Sequence, residues 1–424
     1  MYHNLQPLLN KNYIRAKSAQ GIYIFDLTGK SYLDGSSGAV TCSLGHSHPQ
    51  VISCMKKQLD KLQFVYRSQF GSEEAEALAT KLFEHSPDKV HSHVFFVNSG
   101  TEAIETAMKV ALQYWQEQGH PQKKEFISRW KSYHGITMGA LSLSGHRLRR
   151  QRFETSLEKY PLLAADLEDD SLEKQINEFQ QAINSLGADR IAAFVAEPIV
   201  GAAGTALTPL PGYYQQFRKI CDHHNILFIA DEVMTGLGRT GNWFAMEYWS
   251  TCADIVAVGK SLGAGYAPIA ATLMTEKVLA PIRSGSGLIM SGHTYSGHPL
   301  SCATALKVLE IIEEDNLLKN VNERGAQIKE RLMTFKNKYN FIEIVRGKGL
   351  MTGMEFNPAI QDLQTRFIDQ CFHNGLLVYP SVGGKEGTDE NGILITPPFI
   401  ITEAETNELL DKADQCLREI SKNL

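Results

Sequence analysis

The stretch 258-VGKSLGAG-265 decides how the rest of the chain is read. Its start looks like the end of a phosphate-binding loop, G-x-x-x-x-G-K-[ST], with Gly259, Lys260 and Ser261 in place. The first glycine of that pattern would stand at 254, where the chain has Asp254. Lys260 therefore needs another reason. It directly follows DIVAVG (254–259), a short apolar run of the kind that forms a strand buried on both faces. A charged group at such a position is costly unless it is paired or takes part in chemistry.

Composition narrows the classes. The 424 residues, 43% hydrophobic and 21% charged with a net charge of −5, describe an ordinary globular chain of two or three domains, or one large domain with an appendage. There is no basic excess for a nucleic-acid surface. Cys42, Cys54, Cys221, Cys252, Cys302, Cys371 and Cys416 are scattered, and none forms a C-x-x-C pair. That pattern fits reduced cytoplasmic thiols better than a disulfide frame or a zinc site. The opening MYHNLQPLLNKNYIRAKS lacks the apolar centre of a signal peptide. No apolar run approaches the roughly 20 residues that span a bilayer. The expectation is a cytoplasmic protein with no membrane or nucleic-acid partner.

Outward from Lys260 the same pattern repeats. VFFV (94–97) leads into a helix over 101–118, and IAAFVA (191–196), a helix near 213–224, ILFIA (226–230) and APIAATLM (267–274) follow. Short strands this apolar, alternating with helices, predict an α/β fold with a mostly parallel sheet covered on both sides. Upstream, 22–34 reads as a hairpin turning at Thr28-Gly29. Beyond 300 come two long helices, strands near 341–346 and 349–356, a helix near 361–373 and a last helix near 402–421. The expected organisation is an N-terminal segment, 1–65, contributing to a small domain, then a large α/β domain, 66–320, then a smaller α+β domain, 321–424.

Two patterns mislead. Gly236-Leu237-Gly238-Arg239-Thr240-Gly241 is a literal G-x-G-x-x-G, with Asp254 near the place of a ribose-binding acid. But DEVMT separates it from its strand, and no good helix start follows, so the tight dinucleotide turn is missing. The pairs 46-HSH-48 and 91-HSH-93 lack a third ligand nearby, and no metal is expected.

What stands at the strand ends is more telling, because open α/β sheets bind ligands beyond the carboxyl ends of their strands. VFFV ends in 98-NSGTEA-103, where small residues and a helix N-terminus suit an anion, although Ser99 or Thr101 also fits an ordinary helix cap. IAAFVA ends in Glu197, ILFIA in Asp231-Glu232, and DIVAVG in Lys260. A lysine, an acid and an anion site at one edge are the parts of pyridoxal 5'-phosphate (PLP) catalysis, although Asp231 and Lys260 also fit a structural salt bridge.

At these residues the chain resembles the class III (ω-type) pyridoxal-phosphate aminotransferases, of fold type I. The resemblance runs through 35-GSSGAVTCSLGHSHP-49, 98-NSGTEAIETAMKVA-111, 132-SYHGITMGALSLSG-145, 197-EPIVGAAG-204, 231-DEVMTGLGRTG-241, 258-VGKSLGAGYAP-268 and 293-HTYSGHPLSCA-303. Lys260 stands 29 positions after Asp231, as that family's pattern expects. The resemblance implies a PLP-dependent transaminase. It would move an amino group from an amine or a β/ω-amino acid to a 2-oxo acid, pyruvate or 2-oxoglutarate, through an internal aldimine on Lys260. It implies that Lys260 also moves the proton, with its pKa lowered by cationic surroundings, and that Asp231 pairs with the pyridine nitrogen. Ser99, Gly100 and Thr101 would hold the phosphate, Tyr133 and Val233 would cover the two ring faces, and Glu197 would support Asp231 or gate the substrate side. His134 joins the cofactor-binding set through packing rather than chemistry. Thr294 would reach the neighbouring subunit's phosphate, making a homodimer with a shared active site.

Two positions depart from the family pattern. Leu394, in 393-ILITPPFI-400, stands where many members carry a carboxylate-binding arginine, and Val40 where many carry a tryptophan. The expectation is a wider, apolar pocket bounded by Val40 and Leu394. Another arginine, Arg147 or Arg150 and otherwise Arg149 or Arg346, would then meet the keto acid. Aminomutase, racemase and decarboxylase chemistry use the same parts and stay open. A nicotinamide dehydrogenase is what GLGRTG alone would support.

Overall fold

The structure, a computed structural model, describes residues 3–160, 162–164, 167, 171–383, 389–422 and 424. An antiparallel meander comes first: β1 (Ala16–Gln20), β2 (Tyr23–Asp26) and β3 (Ser31–Asp34). Asp26 closes the turn from β2 to β3, its Oδ1 accepting Thr28 N at 2.8 Å and Lys30 N at 3.1 Å. This is the local side-chain bonding for which turns select aspartate. Helices α1 (Pro49–Lys61) and α2 (Glu73–His85) lead to the central sheet.

That sheet is built from β4 (His93–Val97), β5 (Glu125–Arg129), β6 (Leu162–Leu163), β7 (Ile191–Ala196), β8 (Leu227–Asp231), β9 (Ile255–Val258) and β10 (Ala270–Met274). Its order is β4-β10-β9-β8-β7-β5-β6. Strands β6, β5, β7, β8 and β9 pair in parallel, and β10 runs antiparallel to both of its neighbours. Because β10 is reversed against both, β4 points the same way as β9. The carboxyl ends of β4, β7, β8 and β9 therefore lie on one edge.

Alternate residues of these strands feed two separate cores. Phe194, Phe228 and Val256 face one layer, and Val195, Ile229 and Ala257 face the other. Both faces are buried, so the strands read as unbroken apolar runs. On the first face Phe179 and Phe217, from helices 172–186 and 213–223, stack at 4.5 Å, and Phe194 lies 5.2 Å from Phe217. On the second lies α3 (Gly100–Glu117), whose Trp115 Nε1 donates to Ala192 O at 2.8 Å. Each fully buried Phe or Leu of this kind contributes about 1.5–3 kcal/mol relative to exposure.

The C-terminal part forms a second antiparallel sheet from β11 (Ile342–Lys348), β12 (Met351–Phe356), β14 (Tyr379–Gly383) and β15 (Asp389–Ile395). Between them β13 (Leu376–Leu377) pairs in parallel with β3, so the N-terminal meander is completed by a C-terminal strand. The loop GLGRTG joins the two parts. Arg239 is fully buried and donates to Leu350 O at 3.0 Å, Pro397 O at 2.7 Å and Ser37 Oγ at 3.3 Å. The glycines there serve a turn with positive φ at Gly238 and Gly241, and Asp254 is engaged by Arg218 at 2.7 Å and Lys277 at 2.8 Å. Among the described residues no helix is long and apolar enough to cross a membrane.

Candidate active site

The carboxyl edge of the central sheet opens on a cavity of about 300 Å³ lined by residues from both parts of the chain. Gly100, Thr101, Tyr133, His134, Glu197, Asp231, Val233 and Lys260, all singled out in the sequence, line it. So do Ala39, Gly135, Ile136, Arg149, Ala202, Met234 and Tyr379.

Lys260 enters directly after β9 with φ +42, the left-handed region that non-glycine residues rarely adopt. Such strain persists where surrounding structure imposes it, often at functional sites. Its Nζ donates to Ala39 O at 3.2 Å. Burial brings the ammonium pKa down to about 8, against the opposing pull of Glu197 and Asp231. Desolvation is thus the main cause; the expected cationic surroundings, Arg239 and Arg149, act in the same direction but rank last.

Asp231 ends β8 and is buried. Its Oδ2 lies 2.8 Å from His134 Nδ1, and its Oδ1 accepts Val233 N at 3.1 Å. The carboxylate requires a donor, which puts the ring proton of His134 on Nδ1. His134 is therefore a hydrogen-bond partner and not packing alone; its Nε2 is buried without a partner among the described residues. Glu197 accepts Tyr133 N at 2.8 Å and Gly201 N at 3.1 Å. Burial pushes its carboxyl pKa up, opposed by His134 and reinforced by Asp231. The other strand-end acid, Glu232, turns away and receives Ala245 N at 3.0 Å and Met246 N at 2.9 Å, so it anchors a loop.

The third element is the start of α3. Ser99 caps it, accepting Glu102 N at 3.4 Å, and Thr101 Oγ1 receives Ile136 N at 3.2 Å. The amides of Gly100 and Thr101 have no protein acceptor among the described residues. Unpaired amides at a helix N-terminus in a cavity form an anion site. A Cβ on Gly100 would lie 2.5 Å from Val233 Cγ1, so glycine lets the helix start approach Val233. A phosphate at these amides, a flat ring between Tyr133 and Val233, and a ring nitrogen toward Asp231 fit the residues present.

Four expected substrate residues lie elsewhere. Val40 and Leu394 are fully buried and do not line the cavity. Ala39 faces it in place of Val40, and Tyr379, the cross-strand neighbour of Leu394, faces it from β14. Arg150 is held by Glu154 at 3.0 Å and Ser144 O at 2.6 Å, and Arg147 lies over the Trp130 ring at 4.6 Å. Arg346 is engaged by Glu355 and by Gly204 O at 2.7 Å. Arg149 is the arginine at the cavity. Thr294 is exposed in a turn outside the cavity lining. Of the histidine pairs, His46 is bound to Asp34 at 3.0 Å and His91 to Ala253 O at 2.9 Å. Asp34, Cys42 and His46 approach one another closely enough for metal ligands, but Asp34 is already taken up by Ser36, Gly38 and His46.

Comparisons with known proteins show the family. The profile of the family described as Aminotransferase class-III matches residues 8–417. The chain is 47% identical to the uncharacterized aminotransferase YodT of Bacillus subtilis, over 99% of this chain and 98% of that one. It is 29% identical to the putrescine–pyruvate aminotransferase of Pseudomonas aeruginosa, over 98% and 94% of the two chains. Among solved structures, an amine transaminase from an uncultivated Pseudomonas species, described in a PLP-bound form, superposes with a TM-score of 0.92 at 31% identity, covering 99% of each chain.

Proposed function

This chain belongs to the class-III aminotransferases, enzymes that transfer amino groups between amines and keto acids, and from that premise we propose that it carries PLP in the Lys260 cavity and works as a homodimer. The observation that carries the proposal is the meeting of three features at one sheet edge: Lys260 with a lowered pKa, the fixed carboxylate of Asp231 and the open amides of α3. When bound there, PLP supplies an electron-poor ring that stabilises negative charge on the carbon bearing the transferred nitrogen.

The chain's own groups do the rest. Gly100 and Thr101 would take the phosphate on their amides, with Ser99 shaping the helix start. Asp231, held by His134 and the Val233 amide, would keep a proton on the ring nitrogen. Tyr133 and Val233 would fix the ring from its two faces. Lys260, uncharged in a useful fraction because burial holds its pKa near 8, would carry the cofactor and then move the proton at the substrate carbon. Glu197 would limit the tilt of Tyr133 through its backbone bond.

Exposed apolar side chains support a second subunit. Tyr66, Phe70, Leu288, Met290 and Tyr295 are 48–64% exposed on one chain. Phe64 contacts Tyr295 and Arg67 bonds Ser291 O, which brings the two segments together next to Thr294. Thr294 would reach the partner's phosphate from there. The free, scattered cysteines support a reducing, cytoplasmic setting. Donors would be terminal amines or β/ω-amino acids, since Leu394 offers no cation for an α-carboxylate, and the acceptor would be pyruvate or 2-oxoglutarate.

The test is stoichiometric. PLP-loaded enzyme given a terminal amine and no keto acid should release one carbonyl product per active site and stop, and adding pyruvate or 2-oxoglutarate should restart it. Continuous turnover without acceptor would identify an aminomutase, racemase or decarboxylase instead.

A further inference from the structure

We infer that Arg149 and Tyr379 form an anion subsite in the Lys260 cavity, so that the preferred donor is a terminal amine carrying a carboxylate remote from its amine. The inference rests on the proposed transamination and names its substrate class.

Two donors without a carboxylate partner among the described residues line this cavity from distant parts of the chain. The Arg149 guanidinium lies over the Tyr133 ring at 4.6 Å, and its Nη1 is 3.4 Å from Tyr133 Oη. Arg149 has no carboxylate partner among the described residues, whereas its neighbour Arg150 is paired with Glu154. Tyr379 arrives on β14 from the C-terminal sheet, and its hydroxyl has no hydrogen-bond partner among the described residues. Both side chains line the cavity that Lys260 lines. Burial raises the Tyr379 phenol, and the Arg149 charge opposes that rise.

A planar guanidinium with free donors beside a phenol hydroxyl matches a carboxylate. The same lining includes the apolar Ala39, Ala202 and Met234, which suit a methylene chain. With Leu394 fully buried, no cation comes from the position where the resemblance places one. Arg149, fixed against one face of Tyr133, instead sets the anion apart from the reacting amine. The competing role is purely mechanical: Arg149 would clamp Tyr133 and so serve the cofactor for every donor alike.

Carboxylate selectivity separates the two. The donors 5-aminopentanoate and pentylamine differ only in the distal carboxylate. In the wild-type holoenzyme kcat/KM should favour 5-aminopentanoate. In Arg149→Met that preference should fall about 30-fold, the order expected for losing a charge-assisted hydrogen-bonded pair, with most of the change in KM. Arg149→Lys should keep part of it, and Tyr379→Phe should lose several-fold. Calorimetric titration of the holoenzyme with glutarate reads the anion site without chemistry, and Arg149→Met should weaken that binding at least about tenfold. An unchanged donor preference together with unchanged glutarate affinity in Arg149→Met would overturn the subsite. So would an equal loss for both donors accompanied by weaker PLP binding. If no donor yields carbonyl product in any variant, the proposed transamination fails, and the glutarate titration still decides the anion site.

Discussion

His134 Nδ1 lies 2.8 Å from Asp231 Oδ2, joining residues 97 positions apart, and both side chains are buried. With the Val233 amide on the other oxygen, the carboxylate is fixed from two directions. In His134→Leu, Asp231 keeps only the backbone donor. Losing a hydrogen bond to a buried charge costs about 1.5–3 kcal/mol, so kcat should fall roughly 10–100-fold while PLP is still bound. Asp231→Asn should lose several orders of magnitude, because an amide does not hold a proton on a pyridine nitrogen. Wild-type turnover in His134→Leu would show that Asp231 is positioned by other means.

Lys260 should report its environment through pH. A lysine with its pKa lowered to about 8 is charged below that pH and neutral above it. Only the neutral amine attacks a carbonyl, so PLP uptake by cofactor-free protein should speed up with rising pH and level off above about 8. A lysine near its ordinary value of about 10.4 would keep accelerating well past pH 9. Stopped-flow absorbance between pH 6.5 and 10 distinguishes the two curves.

Gly100 and Val233 are in tight register. A methyl on Gly100 would lie 2.5 Å from Val233 Cγ1, so Gly100→Ala must push Val233 toward the cavity. Overpacking of this kind costs about 1–3 kcal/mol. The PLP dissociation constant should rise about 5–150-fold, and the double variant Gly100→Ala with Val233→Ala should recover most of it. If the double variant binds PLP no better than Gly100→Ala, the contact is not the cause.

Thr294 is exposed in a single chain, beside Tyr295 at 58% exposure. If it reaches the partner's phosphate, Thr294→Ala should weaken PLP by about 1.5–3 kcal/mol, the size of one hydrogen bond to a charged group. Sedimentation of the active enzyme should give a dimer. A fully active monomer would refute the shared site.

The sheet edge was legible in the sequence because each buried run ends where its charged residue begins: IAAFVA at Glu197, ILFIA at Asp231, DIVAVG at Lys260. Direction was not legible, since the apolar residues of β10 are the same whether it runs parallel or antiparallel. β5 escaped notice because EFISR mixes Glu125, Ser128 and Arg129 into a buried strand. The pocket wall failed by single steps. Val40 and Leu394 turn into the core, while Ala39, one residue earlier, and Tyr379, one strand over, take the cavity. Arg149 and Arg150 are sequence neighbours, but adjacent residues of a helical turn point in different directions, so Arg150 meets Glu154 and Arg149 meets Tyr133. The resemblance places His134 at the site by packing alone, and its bond to Asp231 gave no signal, because that partner is fixed only by the meeting of two distant strand ends.

The central claim is that Lys260 holds the cofactor. Borohydride reduction of PLP-loaded enzyme, followed by peptide mass spectrometry, tests it most directly. One phosphopyridoxyl adduct per chain should appear on the peptide containing Lys260, and Lys260→Ala should fold, bind PLP reversibly, carry no adduct and lack turnover. An adduct on any other lysine, or near-normal turnover in Lys260→Ala, would contradict the account.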